Sequence, residues 1–236
     1  MSIMRRIVLA VVLLTISTSL SAQDLESIIK KNLEITGGSA RSNFKTLVAE
    51  GSMSQMGMSL DLKLIEKRPD KMKMITTISG MEIIQMVNGS TGYMVNPMTG
   101  SSDPVTLNAE QVTQIRDNSL LSNSLENLFK AGTLSLVGSS EIAGEPVFEL
   151  KNSSGSGDSY FYISKKSYYT VAMKLSVNQN GQQFNIEARM KDFSDFNGVK
   201  IPMVTETYIN GTLSGSMTYK SIRFDVPVAD SEFELK

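Results

Sequence analysis

Two short groups of residues have the types and spacing that some catalytic and metal sites use. Ser42 and Lys45 stand three positions apart, like the serine and lysine of an acylating enzyme, but no Ser-Asp-Asn or Lys-Thr-Gly motif accompanies them. Asp192, Asp195 and Asn197 offer oxygen ligands for Ca²⁺, but the twelve-residue frame of a calcium loop is missing. We therefore interpret the first group as a helix-to-strand connection and the second as a turn between strands.

The composition removes most other routes to catalysis. The chain has no histidine and no cysteine, which excludes the commonest general base, a thiol nucleophile and the usual zinc ligands. It also has no tryptophan to form a sugar platform, and no glycine-rich phosphate loop precedes a helix. We predict a binding protein and not an enzyme, with no catalytic residues, no metal site and no cofactor. A hydrolase that uses two converging carboxylates is the alternative, although the sequence places no such pair in a cleft.

The first 22 residues have the pattern of a secretory signal peptide. Arg5 and Arg6 form a positive head, residues 7–16 an apolar run, and residues 17–22 a small-residue tail that suits cleavage after Ala22. Because a lipid-anchored lipoprotein needs a cysteine directly after the cleavage point, this chain is not expected to carry a lipid anchor. We expect an exported protein of the periplasm whose stability comes from packing, since disulfides are impossible.

The remaining residues, 23–236, have the length of one domain. Loss of Arg5 and Arg6 leaves 21 basic against 24 acidic residues, a balance that argues against nucleic acid as a partner. The chain contains 15 methionines, whose flexible and polarisable side chains suit surfaces that adapt to ligands of irregular shape.

Alternating apolar and polar residues predict β-strands from residue 51 onward. Met58, Leu60, Leu62 and Leu64 alternate with polar residues, and after the turn at residues 67–70 the pattern resumes with Met72. Residues 81–87 are apolar on both faces, which is typical of a strand covered on both sides.

Apolar residues at helical spacing predict three helices. The first covers residues 24–36 and ends at Gly37-Gly38. Two more lie in residues 107–132, with Asn108 as a possible N-cap, and we call this segment the lid because its apolar stripe must cover the preceding strands.

From residue 133 onward, strands follow one another with turn residues between them. Four Asn-Gly pairs in the chain, a sequence typical of tight hairpin turns, predict a meander of antiparallel strands. A sheet this large must curl. The predicted fold class is therefore mainly β with helices: a strongly curved antiparallel sheet, or unclosed β-barrel, of about 11 strands covered by a helical lid.

Three segments, in this order and spacing, resemble those of a known family. Residues 67–74 (KRPDKMKM), 92–100 (GYMVNPMTG) and 224–233 (FDVPVADSEF) resemble segments of the outer membrane lipoprotein-sorting proteins, the LolA/LolB-like carriers. The resemblance extends over roughly residues 44–235. It implies a periplasmic carrier whose cavity between sheet and lid holds the acyl chains of a lipoprotein or other lipid, and which meets inner- and outer-membrane transport components as a monomer. It also implies an arginine that holds the lid closed, for which Arg41 and Arg68 are candidates by position.

The strand pattern and the resemblance indicate the same site. The predicted lining of the lipid cavity consists of Met58, Leu60, Leu62, Leu64, Met72, Met74, Ile84, Met86 and Met94. The predicted lid residues are Leu121, Leu125, Leu128 and Phe129. The alternative is a non-catalytic envelope scaffold or interaction domain, in which these same residues fill a core without a void.

Overall fold

The computed structural model of the protein describes residues 24–55, 57–154, 157–179 and 181–235. The predicted signal peptide lies outside these residues. Within them, the chain forms one large sheet with helices on one of its faces.

The sheet contains thirteen strands among the described residues, and every neighbouring pair is antiparallel. The predicted fold class is confirmed, although about 11 strands were predicted; the sequence pattern gives no sign of the two-residue strand β6. The strands are β1 (Thr46–Gln55), β2 (Met58–Lys67), β3 (Lys71–Ile78), β4 (Met81–Asn88), β5 (Thr91–Val95), β6 (Val105–Thr106), β7 (Leu134–Ile142), β8 (Glu145–Ser154), β9 (Gly157–Ser164), β10 (Thr170–Gln179), β11 (Gln182–Phe196), β12 (Val199–Ile209) and β13 (Thr212–Phe224).

The strand order leaves the sheet open. It runs β6-β5-β4-β3-β2-β1-β13-β12-β11-β10-β9-β8-β7, so that β1 and β13 pair at the centre while β6 and β7 form the two edges. The lid connects β6 to β7 and must therefore cross from one edge of the sheet to the other.

Four α-helices accompany the sheet in the described part of the chain: α1 (residues 24–36), α2 (Gly38–Arg41), α3 (Ala109–Asp117) and α4 (Ser124–Lys130). Asn108 and Gln111 form a capping box at the start of α3, which confirms the predicted cap. Gly37 separates α1 from α2 with φ 76°, and a Cβ there would lie 1.9 Å from the carbonyl oxygen of Gly198, so only glycine fits this approach.

The face of the sheet that contacts the helices, here called the inner face, carries three buried groups. The first joins β1, β2, β3, β12 and β13 to Leu121 of the lid. The second joins β7, β8 and β9 to α1 and to Leu125 of α4. The third, around Val87 of β4, packs against Leu107 and Val112 at α3. The helices thus extend the core of both arms of the sheet, where one arm is strands β1–β6 and the other is strands β7–β13.

The opposite, outer face of β1, β2 and β4 is covered by the C-terminal segment, residues 225–235. Phe233 lies in a 3₁₀ helix (Asp230–Phe233) and packs against Val48, Ile65 and Met86. Asp230 also forms ion pairs with Lys67 and Lys71, at 3.1 and 2.8 Å. No helix in the described part of the chain is long and apolar enough to cross a membrane.

Candidate functional site

The inner face of the N-terminal strands brings together most of the predicted lining. Leu62 of β2 pairs with Gly51 of β1, and Leu64 pairs with Met74 of β3. Because paired residues of neighbouring strands point to the same face, one register places five predicted residues on the inner face. These are Leu60, Leu62, Leu64, Met72 and Met74.

The prediction for Ile84 and Met86 is wrong about their face. Met86 pairs with Lys73, and Ile84 with Ile75, which places both side chains on the outer face beside Phe233. Strand β4 is apolar on both sides, so alternation in the sequence does not say which set points inward. The register shows that Val87 and Ile83, not Met86 and Ile84, share the inner face.

The last two predicted lining residues lie at the margins of the site. Met94 pairs with Gln85 and packs beside Leu107 and Val112 under α3, apart from the Leu62 and Leu64 group. Met58 is the first residue of β2, beside the β1–β2 turn, and is 53% exposed.

The predicted lining does not include the inner-face methionines of β1 and of the C-terminal strands. Met217 of β13 pairs with Met53 of β1 and with Thr205 of β12, and Thr205 pairs with Met190 of β11. All four of these side chains are partly exposed. With Met203 of β12, which packs on the first buried group, the methionines form what we call the methionine strip: Met53, Met190, Met203 and Met217. Each strand contributes only one of them, so no single strand carries a methionine-rich signal.

The predicted lid residues divide between two parts of the inner face. Leu121 packs on the group around Leu62 and Leu64, where the prediction placed it. Leu125, Leu128 and Phe129 instead pack with α1 against strands β7, β8 and β9. The expectation that all four cover the N-terminal strands is therefore wrong. The chain must reach the far edge of the sheet by β7, and this crossing carries α4 to the other arm.

A buried carboxylate holds the middle of the lid. Glu66 points inward between Leu47 and Met72, and 1% of its surface is exposed. Its oxygens accept hydrogen bonds from the Ser119 hydroxyl at 2.7 Å and from the backbone N–H groups of Leu120 and Leu121 at 2.8 and 3.0 Å. Burial raises the pKa of the Glu66 carboxyl, and these three hydrogen bonds oppose that rise.

Two arginines bind the same turn of the lid through its carbonyl oxygens. Arg41 donates to the carbonyl of Leu120 and to that of Lys200 at 3.4 Å. Arg68 donates to the carbonyl of Leu121 and, at 2.9 Å, to that of Phe44. Burial lowers the pKa of Arg41, while the charge of Glu66 raises it. We call Glu66, Arg41 and Arg68 the latch.

The two positional candidates for a lid-holding arginine thus both reach the lid. The signal for the third member was a glutamate inside an otherwise alternating strand. Glu66 occupies an inner-face position in phase with Leu62 and Leu64, where an apolar residue is expected. A charged residue at such a position needs buried partners, and here the partners are two backbone N–H groups and one serine hydroxyl of the lid.

Two cavities lie beside these elements. One of about 300 Å³ borders the latch and is lined by residues of the β2–β3 turn, α3 and the lid, among them Arg68, Met72 and Arg116. The other, of about 230 Å³, lies between α1 and Tyr168. Neither cavity is lined by the methionine strip, which is an open, partly exposed surface.

One residue of each group that could have done chemistry makes a structural contact. Lys45 donates its backbone N–H to Asp225 at 2.7 Å. Asp195 accepts from the Gly198 N–H and pairs with Lys200 at 2.8 Å, as a turn between β11 and β12 requires. No group of three or more Asp and Glu residues in the described ranges could hold a metal ion.

Solved structures share this fold at low sequence identity. An outer membrane lipoprotein-sorting protein domain from Vibrio parahaemolyticus matches 87% of this chain and 97% of its own, with 13% identity and a TM-score of 0.59. The match to a LolA superfamily protein from Nitrosomonas europaea covers 89% of this chain and 97% of that protein, with 12% identity and a TM-score of 0.57. The match to a DUF1329 family protein from Desulfovibrio piger covers 89% of this chain and 97% of that protein, with 11% identity and a TM-score of 0.60. No family model and no curated protein matches the sequence. The chain therefore shares its fold with these three structures.

Proposed function

We propose that the protein is a periplasmic carrier that binds the acyl chains of a lipoprotein or another lipid on its inner face. The observation that carries this proposal is the methionine strip. It is an apolar surface on the helix side of the sheet, continuous with the Leu60 and Leu62 row of β2, and its side chains are only partly buried.

Such a surface supplies the main driving force for binding an acyl chain. Burial of one methylene is worth about 0.8 kcal/mol, so a sixteen-carbon chain contributes about 12 kcal/mol before the costs of ordering. Methionine side chains can follow a flexible chain, because three rotatable bonds let each one fill an irregular gap.

The latch gives the carrier a way to release its cargo. It holds the lid at one turn by hydrogen bonds from and to backbone groups, not by a broad apolar contact alone. Hydrogen bonds to backbone groups can be exchanged for bonds to water when the turn moves away. The turn of the lid at residues 117–123 can therefore separate from β2 while α4 stays packed against β7, β8 and β9.

The sequence and the fold together support the proposed location and partners. The signal-peptide pattern of the first 22 residues indicates export. The fold is that of a lipoprotein-sorting domain, which favours lipoproteins as cargo, and membrane transport components as donors and acceptors. No step of this function needs a catalytic group, a metal or a cofactor.

The test uses the chain from Gln23 onward, which contains every element of the described fold. Protein purified from a bacterial periplasm is extracted and its lipids are identified by mass spectrometry, and uptake of a fluorescent fatty acid is titrated. We expect bound acyl-chain lipid and saturable uptake. The Met190→Gln/Met217→Gln variant should bind the fatty acid about tenfold more weakly, because two partly buried thioethers become amides.

The matched control is Met98→Gln. Met98 is 55% exposed and lies in the 3₁₀ helix Pro97–Thr99, away from the strip, so its substitution should leave uptake unchanged. Absence of extracted lipid together with absence of uptake would contradict the proposal.

A non-catalytic envelope scaffold or interaction domain with a filled core is the second candidate. The observation in its favour is the packing under α1 and α4, where Leu150, Phe161 and Ile163 are almost fully buried and leave little room for a ligand. The lipid extraction and the fatty-acid uptake separate the two functions, because a scaffold with a filled core should extract no lipid and take up no fatty acid.

A further inference from the structure

Large apolar side chains are exposed together at the lower end of the sheet. In a meander of antiparallel strands, alternate turns lie at the same end, so the β1–β2, β3–β4, β10–β11 and β12–β13 hairpins all turn there. These four hairpins are also consecutive across the sheet. Five of the nine exposed large apolar side chains of the described chain belong to them: Met58 (53%), Met81 (41%), Leu175 (36%), Val177 (40%) and Leu213 (55%). We call these five residues the lower rim.

The hairpins of the lower rim carry no charge. Residues 54–59, 76–81, 175–186 and 207–219 contain no Asp, Glu, Lys or Arg. Most turns at the opposite end, here called the upper end, differ: residues 66–71, 141–145 and 195–200 each contain two or more charged residues, whereas residues 88–91 contain none. The four hairpins of the lower rim are thus both apolar and uncharged where they turn.

A fifth hairpin at the same end shows what an ordinary solvent-facing turn looks like in this chain. The β8–β9 hairpin carries none of the nine exposed large apolar side chains, and its strands are joined by an ion pair between Lys151 and Asp158 at 2.7 Å. Four neighbouring hairpins depart from that pattern together, which a need for solubility alone does not explain.

We propose that the lower rim docks onto the surface of a lipid bilayer with uncharged or zwitterionic headgroups. The hairpins stand about 10 Å apart, since each spans two strands, and their apolar side chains are separated by Asn, Gly, Ser and Gln. Separate exposed apolar side chains of this kind suit a fluid bilayer, because lipid molecules can rearrange around each side chain. The amide and hydroxyl groups between them match the polar headgroup region. The lack of basic residues means that attraction to anionic lipids supplies none of the binding.

The orientation places the inner face at the bilayer. Leu175 pairs with Ile186, and Ile186 pairs with Ile209, on the face that carries Met190 and Met217. The apolar surface is therefore continuous from the methionine strip to the lower rim. A docked molecule could pass an acyl chain between bilayer and strip without exposing it to water; this consequence rests on the proposed function, whereas the docking does not.

The chain from Gln23 onward provides a clean optical test, because it contains no tryptophan. Leu213→Trp is mixed with phosphatidylcholine vesicles at about 20 mM and about 500 mM salt. We expect a blue shift of the tryptophan emission and flotation with the vesicles at both salt concentrations. The matched control is Val137→Trp, which lies on edge strand β7 and is 51% exposed in the native chain; its emission should not shift.

A second pair of variants measures the contribution of the rim without a reporter. Met58→Gln/Val177→Thr/Leu213→Thr replaces three exposed apolar side chains with polar ones that are no larger, and should lower vesicle binding by about tenfold or more. Val137→Thr/Leu235→Gln changes two exposed apolar side chains outside the rim and should leave binding unchanged. Thermal melting confirms that each variant is folded.

Several results would overturn the docking proposal. They are absence of vesicle binding, binding only to anionic vesicles with loss in high salt, equal loss in the control variant, or a dimer that the rim variant abolishes. Failure of the carrier function is a different result: a protein that binds vesicles through its rim but extracts no lipid and takes up no fatty acid. A protein that takes up fatty acid but ignores vesicles refutes the rim alone.

Discussion

At its upper end the sheet turns mainly through charged residues, and at its lower end mainly through uncharged polar residues and exposed apolar side chains. The upper end also holds the latch, where Glu66, Arg41 and Arg68 fix the turn of the lid between α3 and α4. The lower end of the same strands carries no comparable contact to the lid among the described hydrogen bonds and ion pairs. The difference indicates two separate roles: the upper end holds the lid through the latch, and the lower end carries the surface that we propose to contact the bilayer.

The largest expected effect comes from removing the carboxylate of the latch. Glu66→Ala leaves the Ser119 hydroxyl and two lid N–H groups without their acceptor, and should lower the free energy of unfolding by about 3 kcal/mol at pH 5. Urea denaturation measures the loss. The control is Glu50→Ala, an exposed outer-face glutamate with a surface ion pair to Arg223, which should cost less than about 1 kcal/mol. Equal losses for the two variants would remove the distinction between the ends.

Loss of one latch arginine should have a smaller effect on stability and a clear effect on the lid. Arg68→Met removes the hydrogen bonds to the carbonyls of Phe44 and Leu121 and should cost about 2 kcal/mol. Limited proteolysis of residues 117–123 should become faster, because this turn is freed. Arg223→Met, which changes an exposed arginine of the outer face, serves as the control. Unchanged cleavage in both variants would show that Arg68 does not hold the lid.

A third test uses pH. Burial raises the pKa of Glu66 above its ordinary value of 4.5, so the folded state holds the proton more tightly than the unfolded state. The contribution of Glu66 to the free energy of unfolding is then full below pH 4.5 and is lost as the pH rises through the folded-state pKa. The difference in stability between the native chain and Glu66→Gln should therefore shrink from pH 4.5 upward. A difference that grows with pH would show that the three hydrogen bonds outweigh burial.

The smallest effect on stability is expected at the lower end. Met58→Gln changes a side chain that is 53% exposed and should shift the free energy of unfolding by less than about 0.5 kcal/mol. Chemical denaturation of this variant beside Glu66→Ala gives the contrast directly. A loss of 2 kcal/mol or more at Met58 would mean that the rim is part of the core and not a surface.

The sequence was sufficient for features that depend on neighbours along the chain. The alternation at Leu60, Leu62 and Leu64 gave the correct face, and the Asn-Gly pairs gave the hairpins, since both signals are local. Strand β6 was missed because two residues show no alternation.

The remaining features of the site depend on contacts that no local pattern contains. Ile84 and Met86 were assigned to the wrong face because β4 is apolar on both sides. Only the register of such a strand shows which residues point inward. Leu125 was assigned to the wrong arm because the path of the lid follows from the position of β7 at the far edge. The role of Glu66 required its three lid partners, which are 53 to 55 positions away.

The central pairing of β1 with β13 has a consequence for how the molecule is made. Leu47 lies opposite Phe224, so the seam in the middle of the sheet joins residues from the two distant parts of the chain, whereas each arm is built from successive hairpins. Contacts between distant residues form slowly, because a long stretch of chain must first be brought together. The two arms can therefore assemble early as separate meanders. The inner face becomes one continuous surface only when β13 pairs with β1.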